Sequence, residues 1–255
     1  MTQRHEEDDL QAGLRRLHLP TILRLHAKLQ QEAEAAEWTY REYLARRVAE
    51  ELAHRAETRV QRATHKAKFP FVKTIEEFDF TFQASVQRKA LGRFLGPELV
   101  TEGRAVILLG QPGRGKTHLA IAFAYKAIQN GFEARFVTAA TLLNELHLAA
   151  RDGTLEERLA AFVDPDVLVL DELGYLNYGP DAANLLFQVV DRRYLARRAV
   201  VITSNKEPDS WGQVLHDPDL AHAIVDRLLE RGEIIRLRGR SYRNPRDHEP
   251  PATES

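Results

Sequence analysis

A glycine-spaced turn that ends in a lysine and a hydroxyl carries the clearest chemistry in this chain. Gly110, four residues, then Gly115-Lys116-Thr117 fit the pattern G-x-x-x-x-G-K-[ST]. Gly110, Gly113 and Gly115 permit backbone conformations that a side chain would block, so successive N–H groups can turn inward around a phosphate chain. Lys116 can reach the β- and γ-phosphates of a nucleotide, and the Thr117 hydroxyl can ligate Mg²⁺. The expected ATP-binding segment is therefore Gly110, Gln111, Pro112, Gly113, Arg114, Gly115, Lys116, Thr117 and His118. A chance glycine loop is the alternative, and the apolar run before it and helical pattern after it count against that.

Two further constellations suit the same chemistry. Val167-Leu-Val-Leu-Asp-Glu172 is an apolar run that delivers two acids, the Walker-B arrangement: Asp171 would hold Mg²⁺ through water and Glu172 would orient and deprotonate the attacking water. Asn205 closes Ala199-Val-Val-Ile-Thr-Ser-Asn205, where an amide can hold the water and the γ-phosphate, the role called sensor 1. An ordinary turn residue after a strand is the other reading of Asn205. Hydrolysis also calls for a cation against the charge developing on the γ-phosphoryl group, and Arg192, Arg193, Arg227 and Arg243 are the candidates.

The elements that must position these residues follow from the pattern. Ala105–Leu109 reads as a buried strand, and a helix through Leu119, Ile121 and Phe123 would point its positive end at the bound anion. Further strands are expected at Glu133–Thr138, Val167–Leu170, Ala199–Thr203 and Glu233–Leu237. Helical patterns at Leu142–Ala150, Leu155–Phe162, Pro180–Leu195 and Leu220–Arg231 separate them. Short apolar strands alternating with helices predict a mostly parallel sheet covered on both faces, with ligand groups at the carboxyl ends of its strands.

The first part of the chain reads differently. Leu10, Leu14 and Leu17 form one helical stripe, Pro20 interrupts it, and Ile22, Leu25 and Leu29 start a second helix. Thr39-Tyr-Arg-Glu42 is a capping box that opens a third helix, with Tyr43, Leu44, Val48, Leu52 and Ala56 expected on its apolar face. Towards its end Arg55, Arg59, Arg62 and Lys66 share a face, either a contact for a phosphate backbone or a solvated charged surface. Thr74 and Glu77 repeat the capping-box spacing, and Phe69, Phe71, Phe78, Phe80 and Phe82 would dock the linker by core packing or against an adenine. Ser85–Leu95 reads as one short helix, and the tail from Asn244, rich in Pro and charge, as disordered. The resulting division is 1–68 for a DNA- or partner-binding helical region, 69–98 for a linker, 99–243 for the nucleotide domain and 244–255 for the tail.

Composition sets outer bounds. The 255 residues hold enough apolar material for one sizeable α/β domain and an appendage, and the formal net charge of −1 makes any nucleic-acid argument a local one. The absence of cysteine excludes disulfides and thiolate metal sites and suits a reducing cytoplasm. No apolar run approaches the ~20 residues of a membrane span.

Taken together, Leu109-Gly-Gln-Pro-Gly-Arg-Gly-Lys-Thr-His-Leu-Ala120, Val167-Leu-Val-Leu-Asp-Glu-Leu-Gly-Tyr175, Val190-Asp-Arg-Arg-Tyr194, Ile202-Thr-Ser-Asn-Lys206, Asp226-Arg-Leu-Leu229 and Arg238-Gly-Arg-Ser-Tyr-Arg243 resemble the IstB-type transposition helper ATPases. These are relatives of the DnaC helicase loader and the DnaA initiator in the AAA+ class. The resemblance spans about Leu10 to Arg243 and includes Leu17-His-Leu-Pro20 and Ile75-Glu-Glu-Phe-Asp-Phe80. It implies a P-loop NTPase fold of the AAA+ type behind a small all-α region, with ATP and Mg²⁺ as ligands. It further implies binding to double-stranded DNA, self-assembly along it, and service to a DDE-type transposase encoded nearby. In that family Arg227 stands where an arginine acting on a neighbouring subunit's nucleotide is expected. A DnaC-like helicase loader shares this core and differs in partner; a small-molecule kinase would require an acceptor pocket and a lid.

Overall fold

The computed structural model describes residues 2–176 and 178–243, with side chains from Asp8 onward; the expected disordered tail lies outside the described residues. The chain forms two compact units, Met1–Arg62 and Ala63–Ser255.

The first unit holds α1 (Thr2–Arg16), α2 (Pro20–Ala35) and most of α3 (Tyr40–Ala67). Pro20 is less an interruption than a start: it occupies the first turn of α2, where a missing N–H costs nothing. No side chain next to it caps the helix. Glu51 of α3 does so instead, accepting from Thr21 N at 3.0 Å and Ile22 N at 3.3 Å. Burial pushes the Glu51 carboxyl up, but bonds from Arg55, Ile22 and Thr21 outweigh it and hold the group below its ordinary value. Arg55 completes the joint by donating to His18 O at 2.5 Å. The capping box at α3 forms as expected, with Thr39 N to Glu42 Oε2 at 2.8 Å and Glu42 N to Thr39 Oγ1 at 3.3 Å.

The expected apolar face of α3 is not the buried one. Leu44 and Leu52 are 62 % and 61 % exposed, while Arg47 and Glu51 are buried. The reason is electrostatic: a carboxylate on the inner face satisfies the α2 N-terminus, and that requirement orients the helix.

The second unit is built on a five-stranded sheet in the order β2-β3-β4-β1-β5. Its strands are β1 (Ala105–Leu109), β2 (Ala134–Thr138), β3 (Val167–Leu173), β4 (Ala199–Ser204) and β5 (Gly232–Arg236), and every neighbouring pair is parallel. The helices α4 (Gly92–Leu95), α5 (Glu98–Thr101), α6 (Lys116–Gln129), α7 (Ala139–Arg151), α8 (Leu155–Val163), α9 (Ala182–Leu195), α10 (Trp211–Leu215) and α11 (Pro218–Glu230) accompany it. All five residues of β1 are buried, as a parallel strand covered on both faces requires. Two expectations shift. Arg88–Leu91 is a 3₁₀ turn leading into α4, so Ser85–Leu95 is not one helix, and no helix follows the Thr74–Glu77 spacing.

Strand β4 lies between β1 and β3. The P-loop and the Walker-B acids, on different strands, thus flank a third strand whose end carries Thr203, Ser204 and Asn205.

Candidate nucleotide site

Gly113 and Gly115 adopt left-handed φ values of +78° and +88°. Gly115 also has no room for a side chain, since a Cβ would sit 2.7 Å from the Phe78 ring. It caps α6, whose first residue is Lys116, so the free N–H groups of a 14-residue helix open onto the loop.

The acid and the hydroxyl expected to share a metal ion meet. Thr117 Oγ1 lies 3.0 Å from Asp171 Oδ1 and 3.1 Å from Oδ2, and Thr203 Oγ1 donates to Asp171 Oδ1 at 2.6 Å. Asp171 is 4 % exposed, a buried carboxylate held by two hydroxyls. This hard-oxygen pair fits Mg²⁺, which favours one or two protein oxygens plus phosphates and water. When bound, the ion would neutralise charge on the transferring phosphoryl group. No cluster of three or more His, Cys, Asp or Glu suited to a metal occurs among the described residues.

Glu172 is exposed at the end of β3 with φ +62°, an uncommon conformation for a non-glycine residue. Its N–H donates to Thr203 Oγ1 at 2.9 Å. Lys116 is buried, and its Nζ donates to Gln111 O at 3.0 Å and Tyr175 Oη at 3.1 Å. Burial lowers the Lys116 ammonium to about 8, against the opposing pull of Asp171. Burial likewise lowers His118, whose Nε2 donates to Thr74 O at 2.8 Å.

Lys116, Thr117, His118, Glu172, Tyr175 and Tyr242 line one cavity of about 330 Å³, together with Gly113, Arg114 and Gly115. Asn205 borders the other side of the same loop. With Gly110, Gln111, Arg114, Arg236 and Arg238 it lines a second cavity of about 400 Å³, and its buried Oδ1 has no partner among the described residues. Pro112 is exposed and lines neither cavity.

The four candidate arginines separate. Arg193 is fully buried and donates to the carbonyls of Phe162, Val163, Pro165, Asp166 and Ala199, so it is a structural clamp and cannot reach any nucleotide. Arg192 pairs with Glu156 at 2.7 Å. Arg227 is held by Asp191 at 2.6 Å and lies 4.6 Å from the Phe187 ring centroid. Arg243 alone of the four lines the Lys116 cavity.

The basic stretch of α3 is partly committed as well. Arg55 pairs with Glu51 at 2.9 Å and Lys66 with Glu133 at 2.8 Å. Arg59 and Arg62 are exposed.

Sequence reasoning missed the residues that finish the site. Thr203 anchors Asp171, Tyr175 holds Lys116, and Tyr242 reaches the loop, with its N–H on Gly113 O at 2.8 Å and its hydroxyl on Asp79 O at 2.8 Å. Tyr242 also packs on Phe82 and Phe78, and Phe78 meets His118 edge-on, so these two linker aromatics pack beside the P-loop while Phe69 packs on Phe136 of β2. The only signals were Thr203 at a strand end and the aromatic placed after Asp171-Glu172.

A β2-β3-β4-β1-β5 parallel sheet with a P-loop after β1 and acids at the end of β3 defines an AAA+ P-loop NTPase. Solved structures agree in fold: the DnaC helicase loader (TM-score 0.51, 23 % identity, 59 % of this chain and 87 % of that one) and AMPPCP-bound DnaA from Aquifex aeolicus (TM-score 0.53, 20 % identity, 67 % and 51 %). The profile of the IstB-like ATP-binding proteins matches residues 12–249, and the chain belongs to that family. It is 39 % identical over 228 residues to the ATP-binding protein named for insertion sequence IS5376 of Geobacillus stearothermophilus, covering 89 % of this chain and 90 % of that one. To the counterpart named for IS21 of Pseudomonas aeruginosa it is 37 % identical over 239 residues, covering 94 % and 89 %. Among the described residues no helix is long and apolar enough to cross a membrane.

Proposed function

We propose that this chain hydrolyses ATP with Mg²⁺, binds double-stranded DNA, assembles into homo-oligomers on it and serves a DDE-type transposase encoded by the same insertion sequence. The observation that carries the reading is the Thr117–Asp171 contact beside a cavity that Lys116 and Glu172 share. In that arrangement Lys116 would pair with the β/γ-phosphates, Thr117 and Asp171 would hold Mg²⁺, and Glu172 would take the proton of the attacking water. Asn205, just beyond β4, acts on the γ-phosphate from the cavity it shares with Gly110, Gln111 and Arg114. Arg227 acts on a neighbouring subunit's nucleotide after releasing Asp191. Arg59 and Arg62, with Arg55 and Lys66, contact phosphates of DNA, and the cysteine-free chain works in the cytoplasm.

The insertion-sequence names of the relatives support a transposase as partner. A helicase loader is the second reading, favoured by the likeness in fold to DnaC. Magnesium-dependent phosphate release, measured with and without duplex DNA, tests the enzyme. Capture of the protein by its transposase or by a hexameric helicase separates the two partners.

A further inference from the structure

We propose that Tyr175 is a stand-in for a phosphate oxygen on Lys116, and that a triphosphate displaces it and so moves the turn that carries Glu172. The inference rests on the nucleotide reading above and goes beyond it by assigning a sensor within the chain.

Lys116 Nζ has three donors and is buried, so leaving them unmet would be costly. Gln111 O takes one at 3.0 Å and Tyr175 Oη another at 3.1 Å; the ammonium also stands 5.6 Å from the centre of the tyrosine ring. A phenol oxygen accepts that bond without charge. A phosphate oxygen makes a charge-assisted bond at the same ammonium and is the stronger acceptor. Tyr175 lines the same 330 Å³ cavity as Lys116, Thr117 and Glu172, so the ring and a triphosphate compete for one space.

The turn behind Tyr175 is built to move. Glu172 at φ +62° and Gly174 at φ +90° are both left-handed, with only Leu173 between them. Strain at the non-glycine position is relieved when the turn relaxes. The turn is held from the far side by Tyr178 Oη, 3.3 Å from Gly174 N and 3.3 Å from Glu172 O. Tyr175 itself donates its N–H to Glu172 O at 3.4 Å, so a displaced ring pulls on the residue that must meet the attacking water. Next in the chain, Leu176 is 59 % exposed and travels with it. Phosphate occupancy is thereby read out at the base and at the surface together.

The test compares full-length protein with Tyr175→Phe, which keeps the ring and removes the acceptor, by calorimetric titration with ATP, inorganic tripolyphosphate and adenosine. Tyr175→Phe should bind ATP and tripolyphosphate roughly 2- to 10-fold more tightly, the worth of one net hydrogen bond, and adenosine no differently. The difference should vanish when Lys116→Met is present in both proteins. A second measurement needs no substitution: protein labelled with 3-fluorotyrosine should show the Tyr175 ¹⁹F resonance shifting with tripolyphosphate and not with adenosine. Weaker or unchanged ATP binding by Tyr175→Phe, a difference that survives Lys116→Met, or a resonance that stays in place overturns the stand-in role while leaving the nucleotide site intact. Wild-type protein that binds neither ATP nor tripolyphosphate overturns the nucleotide reading itself, and this inference with it.

Discussion

Thr117 Oγ1 and Asp171 Oδ1 lie 3.0 Å apart although 54 positions separate them in the chain. The contact exists because β4 lies between β1 and β3 and supplies Thr203, whose hydroxyl donates to the same Asp171 oxygen at 2.6 Å. Removing the charge therefore should not collapse the pocket. Asp171→Asn is expected to retain ATP binding without metal but to lose the gain in affinity that Mg²⁺ gives, as read by titration with and without the ion. Equal Mg²⁺ enhancement in both proteins would assign the metal elsewhere.

Lys116 gives a pH signature. Its ammonium drops from 10.5 to about 8 in the folded chain. Below pH 8 both states hold the proton and the burial cost is present in full, about 3 kcal/mol as an upper bound. Between pH 8 and 10.5 the unfolded chain binds more protons, so this cost fades as pH rises. Lys116→Met should thus be more stable than wild type at pH 7, with the advantage shrinking above pH 8 and gone above pH 10.5. Binding of ATP should draw in a proton above pH 8, seen as a dependence of the calorimetric enthalpy on buffer ionisation heat.

Glu172 combines a catalytic assignment with a left-handed backbone. Glu172→Gln should keep ATP affinity and lose turnover. Glu172→Gly should lose turnover too, yet gain stability of about 1 kcal/mol by denaturant melting, because glycine adopts φ +62° without strain. Normal turnover in Glu172→Gln would remove the residue from the role of base.

Arg227 needs freeing before it can act on a neighbour. Asp191→Asn should loosen it and raise DNA-stimulated hydrolysis, whereas Arg227→Ala should lower that hydrolysis by roughly 10³- to 10⁵-fold. Mixing Arg227→Ala with Glu172→Gln should restore part of the activity, since one interface can combine an intact arginine with an intact glutamate. If the mixture stays inactive and Asp191→Asn changes nothing, Arg227 only braces α11 on α9, and Arg243 becomes the cation to examine.

Among the described residues, the basic face of α3 divides into the ion-paired Arg55 and Lys66 and the exposed Arg59 and Arg62. Replacing Arg59 and Arg62 by alanine should flatten the slope of log affinity against log salt by about 2 for a duplex. Replacing Lys66, already paired with Glu133, should change that slope less. Equal slopes for the double variant and wild type would return the face to solvent.

How far the sequence could be read depended on whether a residue's role was local. The P-loop, the strand ends and the capping box at Thr39 and Glu42 each follow from short-range rules, and each forms. The inner face of α3 did not follow, because Glu51 is placed by the N–H groups of α2, thirty positions earlier in the chain, and periodicity alone favours the leucines. Arg193 read as a free cation near a helix end; its five carbonyl partners come from α8, the loop after it and β4. Tyr242 and Gly113 sit far apart in sequence, and nothing in either local pattern announces their bond.

That last bond orders events during synthesis. Gly113 leaves the ribosome well before Tyr242, and so do Lys116, Asp171 and Glu172. A nascent chain stalled upstream of Leu237 carries the P-loop, both Walker-B acids and the lysine, but neither the Leu237 N–H on Leu109 O nor the Tyr242 N–H on Gly113 O. Translation thus adds these two braces after the P-loop and both acids, and a product terminated before Leu237 carries Lys116 on a loop that lacks both bonds.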